Sequence, residues 1–94
     1  MKTKEIECIG RLLEKGLFEE IKEFLIDNKF ATEDDFKDLT RDYERSSFMC
    51  IALHKAAEDE KLLLLDFEWT LLPLETIKLT CVTLNEKKEF THGL

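Results

Sequence analysis

Five side chains in this sequence could ligate a soft or borderline metal: Cys8, Cys50, Cys81, His54 and His92. Structural zinc sites pair their ligands at short spacings such as C-x₂-C or H-x₃-H, and none of the five is so placed. Cys50 and His54 come nearest, four residues apart. On a helix that gap makes neighbours. On a strand it leaves both on one face, about 13 Å apart. Attack by Cys50 with His54 as base needs the helical case. It also needs an orienting group and an oxyanion site, and no local pattern marks either. The expectation is buried, reduced thiols and a surface histidine, with no catalytic residue, no metal site and no cofactor.

Gly10, Gly16 and Gly93 are too far apart to build a P-loop or a dinucleotide fingerprint. Acids are plentiful. Asp34, Asp38 and Asp42 fall at i, i+4 and i+8, opposite Phe36, Leu39 and Tyr43, and on one helix would form an exposed stripe. Arg41 and Arg45 lie on the same outer face and offset part of the repulsion. General acid–base work needs a pocket that raises a carboxyl pKa, which an exposed face does not supply. The stripe therefore reads as a solvated face, or as a surface that meets Arg and Lys on a partner.

The elements behind these residues follow from periodicity. Ile6, Ile9, Leu13, Leu17, Ile21 and Phe24 recur at three- and four-residue steps between Lys4 and Asn28, which is helical. Gly16 either ends a first helix or sits inside one long one. Thr32-Glu33-Asp34-Asp35 starts a further helix that should reach about Arg45. Beyond Ser47 the period shortens to two. A strand to about His54 is favoured over a helical extension, although Tyr43, Cys50 and Ala57 are seven apart. Leu62 to Trp69 and Thr76 to Thr83 read as further strands, and Glu89 to Thr91 as a short edge strand after a turn at residues 85–88. Phe18, Phe24, Phe30 and Phe36 are six apart, a spacing that cannot line one helix face.

The expected fold is α+β in one domain, residues 1–94. Two or three N-terminal amphipathic helices, within residues 1–45, pack on a C-terminal antiparallel sheet of three to four strands, a meander within residues 46–94. Leu62-Leu63-Leu64-Leu65 gives the second extended run apolar side chains on both faces, and one helical layer covers one face. The other face reads as an interface anchored by Phe48, Leu62, Leu64, Trp69 and Leu72.

The chain has 94 residues and a net charge of −7. Nucleic-acid binding rests on phosphate neutralisation by Lys and Arg, so a chain of this charge without a basic cluster is not expected to bind nucleic acid directly. A helix-turn-helix reading would place Glu-Asp-Asp at the start of the recognition helix. An anionic membrane surface is disfavoured by the same charge. The longest apolar run is too short to span a bilayer. Three cysteines and no secretory pattern suggest a cytoplasmic protein. The expected function is a non-enzymatic, acidic protein-binding module. Its type would be an inhibitor, of the immunity or anti-defence kind found in phages and bacteria, that occludes a basic surface of its partner. The alternative is a structural or adaptor subunit that assembles through the leucine-rich strand, and a homodimer is compatible with the same surface.

Overall fold

The computed structural model describes residues 3–93. Its order is α1 (Thr3–Glu14), α2 (Phe18–Asp27), α3 (Glu33–Phe36), α4 (Asp42–Glu58), β1 (Leu64–Thr70), β2 (Thr76–Val82) and β3 (Lys87–His92). Four helices pack on a three-stranded antiparallel sheet, so the fold is α+β.

Gly16 ends the first helix. Its φ is +90°, a conformation that costs an L side chain strain. The Gly16 N–H donates to Leu13 and the Leu17 N–H to Leu12, which satisfies two carbonyls at the end of α1. Lys29 and Glu60, at φ 63° and 60°, close α2 and α4 in the same way without glycine.

The helix expected from Thr32 to Arg45 is two helices. Thr32 accepts from the Asp35 N–H, and the Asp35 carboxylate accepts from the Thr32 N–H, a capping box that starts α3. This helix stops at Phe36. The Glu44 carboxylate then accepts from the backbone N–H groups of Thr40 and Arg41 and starts α4. A continuous recognition helix over this stretch does not form.

The strand expected to about His54 is helix. α4 buries Met49, Cys50, Leu53 and Ala56, the three- and four-residue steps of one helical face. The boundary between helical and sheet parts therefore falls after Glu58, not at residue 46. The partner that β1 requires comes from β2, and the short edge strand is real and becomes β3.

The sheet order is β1-β2-β3. Phe67 pairs with Leu79 and Leu79 with Phe90; Trp69 pairs with Ile77. These residues and Cys81 face the helices, because side chains alternate along a strand. Thr83 holds the β2–β3 turn: its hydroxyl oxygen accepts from the N–H groups of Asn85 and Glu86. The core lies between this face and the α1–α4 pair, with Ile9, Leu12, Met49, Leu53, Ile77 and Leu79 fully buried. The evenly spaced phenylalanines sort onto different elements. Phe18 and Phe36 meet edge-to-face, and Phe24 contacts both Phe30 and Phe90. Among the described residues, no helix is long and apolar enough to cross a membrane.

Candidate functional site

The acidic stripe of Asp34, Asp38 and Asp42 does not form. Asp34 is on α3, Asp38 in the connection and Asp42 at the start of α4. All three are exposed, but they sit on separate pieces of backbone. Asp42 pairs with Arg45 at 3.4 Å, and Asp34 lies 3.9 Å from Lys37.

A group of acids without ion-pair partners lies on α2 and beside it. Glu19, Glu20, Glu23 and Asp27 are exposed. Glu20, Glu23 and Asp27 follow one helix face and line a cleft with Glu86 from the β2–β3 turn. Among the described residues none of these five acids is in an ion pair, whereas Glu14, Glu33, Glu44, Glu75 and Glu89 each hold one. Lys88 lines the same cleft, yet its ammonium sits over the Phe90 ring, 5.9 Å from the centroid. Asp27 falls in the last turn of α2, which has no basic residue. A negative charge there opposes the helix dipole.

The apolar candidates divide. Leu62 is only 4% exposed and belongs to the core, not to a partner surface. The reason is the turn at Glu60: the Leu62 N–H donates to Ala56, which folds the chain back under α4 before β1 begins. Phe48 and Trp69 are half-buried and pack on the core. The Phe48 ring lies edge-to-face on Phe36 at 5.2 Å. The Trp69 indole N–H donates to Glu75 Oε2 at 3.1 Å. Leu64 does face outward, but its neighbours on that face are Asp66, Glu68 and Thr70. The strand therefore alternates cleanly, and the expected second apolar face is absent. Leu72, 81% exposed, lies outside the sheet in the β1–β2 connection with exposed Leu71 and Leu74.

A third group was not expected. Because residues 42–58 are helical, Cys50 and His54 are neighbours on α4, and α1 packs against them. Ligand atoms of Glu5, Cys50 and His54 lie within 4.8 Å of one another. His54 Nε2 and Glu5 Oε1 are 2.7 Å apart, and the imidazole stacks on Phe67, 6.1 Å between centroids and 12° between planes. Cys8 is one turn from Glu5 on α1, with its Sγ 3.8 Å from the Glu68 carbonyl oxygen. Burial, followed by the nearby Glu5 and Cys50 groups, pushes the Cys8 thiol up to about 11. Burial pushes Cys81 up to about 12. Such thiols are poor nucleophiles at neutral pH. The signal for this cluster was present as Glu5-x₂-Cys8 and Cys50-x₃-His54, one helical turn each, but only a helical α4 lets them face each other.

No protein-family model matches the chain, and neither a curated protein nor a solved structure is significantly similar to it.

Proposed function

We propose that this chain is a non-enzymatic, acidic protein-binding module that acts by covering a basic surface of its partner, in the manner of an inhibitor or immunity protein. The supporting observation is the α2 ridge. Four exposed acids there have no ion-pair partner within the described residues, and Asp27 stands against the helix dipole. Like charges held together without ion-pair partners reduce the stability of the isolated fold. A basic partner relieves that repulsion and gains steering in the encounter. The net charge of −7 sets a direct nucleic-acid partner aside. Three buried thiols fit a reducing compartment such as the cytoplasm.

The test is affinity capture at low and physiological salt. Partner retention that falls steeply with salt, and that is lost when Glu20, Glu23 and Asp27 are all changed to Lys, supports the reading. Retention indifferent to both changes removes it.

The adaptor reading keeps one specific support, the exposed Leu71, Leu72 and Leu74 of the β1–β2 connection. Assembly through these leucines would be insensitive to salt, and it would respond to Leu72→Asp rather than to charge reversal on α2. A homodimer through this connection would appear as a concentration-dependent mass in light scattering.

A further inference from the structure

We propose that Glu5, Cys50 and His54 form a binding site for zinc or a similar borderline divalent cation, clamping α1 to α4. This inference is independent of the docking reading and concerns the opposite chemistry, a half-buried site instead of an open acidic surface.

The donor set comes first. A thiolate, an imidazole and a carboxylate are the three protein ligand types of zinc, and an open fourth position for water is common. The thiolate and imidazole select against calcium and magnesium, which prefer all-oxygen shells. Charge balance is also met. A Cys50 thiolate and a Glu5 carboxylate cancel the two charges of the cation, while His54 binds as neutral imidazole, so nothing charged is left uncompensated in a poorly solvated place. Binding transfers the Cys50 thiol proton to solvent and breaks the His54–Glu5 hydrogen bond; the imidazole proton passes through solvent from Nε2 to Nδ1, and the freed Nε2 and Glu5 Oε1 become ligands of the same ion.

The geometry comes next. With zinc bonds of about 2.0–2.3 Å, tetrahedral ligand atoms lie about 3.3–3.8 Å apart. The three atoms here already lie within 4.8 Å of one another. The remaining difference is about 1 Å, within the reach of side-chain rotation about χ1 and χ2. Cys50 and His54 are fixed at i and i+4 on a long helix, and Phe67 holds the imidazole plane. An entry path exists, because the Glu5 and His54 side chains are 32% and 25% exposed while Cys50 is buried beneath them.

The probe is cobalt(II), which reports sulfur ligation and tetrahedral geometry by absorbance. The full chain, reduced and stripped of metal, is titrated with cobalt and then with zinc. The expected result is a thiolate-to-cobalt charge-transfer band at one equivalent, bleached by zinc, with a thermal midpoint that rises with zinc concentration. Cys50→Ser should abolish the band. Glu5→Gln and His54→Gln should each weaken cobalt binding at least 10- to 100-fold, the usual loss for even an outer-shell partner. His54 lies near the surface, so its variant stays informative if Cys50→Ser fails to fold. The proposal is overturned by the absence of any band and any zinc-dependent midpoint shift. It is equally overturned by cobalt affinity unchanged in His54→Gln, or by an equal midpoint rise with magnesium.

Discussion

The Arg11 guanidinium and the Glu75 carboxylate meet through two hydrogen bonds, 3.1 Å from Nε and 2.6 Å from Nη2, across 64 residues of chain. The same carboxylate accepts from the Trp69 indole. One acid thus ties the β1–β2 connection to α1 and fixes the chain's single tryptophan. The Arg11 hydrogen bonds hold the Glu75 carboxyl below its ordinary value of 4.5, with burial opposing and Trp69 assisting. A carboxyl depressed by folding contributes stability that is present above its ordinary value and is lost as pH falls through its lower folded value. Glu44 and Glu89 are shifted in the same direction. Stability should therefore decline as pH drops below 4.5. Glu75→Gln should be less stable than the parent at neutral pH, with the difference shrinking in acid. Urea unfolding followed by Trp69 fluorescence checks this, and a gap that stays constant with pH contradicts it.

Asp27 gives the docking reading its sharpest test. Replacing it by Asn removes a charge that opposes the α2 dipole, which should stabilise the isolated domain by about 0.3–1 kcal/mol. The same substitution should weaken partner capture. Stability and binding then move in opposite directions. A variant that is more stable and binds equally well would show that the charge has no docking role.

Leu62 and Leu72 were read from sequence as members of one surface, and the structure separates them. Leu62→Ala should cost about 2–5 kcal/mol, the range for a buried leucine. Leu72→Asp, at an 81% exposed position, should stay within about 0.5 kcal/mol of the parent. Thermal melts of the two variants decide the matter: comparable losses would mean that Leu72 is covered.

Glycine positions offer a paired test. A Cβ at Gly10 would meet Ser46 Oγ at 3.8 Å, an ordinary contact, in the middle of α1. Gly10→Ala should stabilise by about 0.5–1 kcal/mol. At Gly16 a Cβ meets nothing within 4 Å, but the positive φ strains any L side chain. Gly16→Ala should cost about 1–2 kcal/mol. Opposite signs in denaturant melts are expected; equal signs would place the break between α1 and α2 elsewhere.

The α+β class was readable because α1 and α2 keep a helical apolar period and β2 keeps a strand period over enough residues. Residues 48–54 misled for a physical reason. Phe48 to Leu53 is an unbroken run of apolar and small residues, so strand and helix periods fit it equally. The helix formers after His54 and the seven-residue spacing from Tyr43 to Ala57 were the better guides. The break at residues 37–41 was hidden because Glu44 acts through its side chain on backbone groups three and four residues earlier. The Glu5–Cys50–His54 group depended on both: two helical turns from opposite ends of the helical part become one cluster only after packing. The α2 acids were visible as letters, but their lack of ion-pair partners is a property of the folded surface.

The strand order leaves β1 with one side unpaired by the sheet. Suppose a second copy approached that side antiparallel about a dyad through Phe67. Asp66 of each copy would then stand opposite Glu68 of the other, with side chains about 5 Å apart. Two such acid pairs would repel at the very spacing that a continuous intermolecular ladder requires. The outward alternation of β1 thus does more than keep that face wet. It also sets like charges against the joining of two β1 edges in that register.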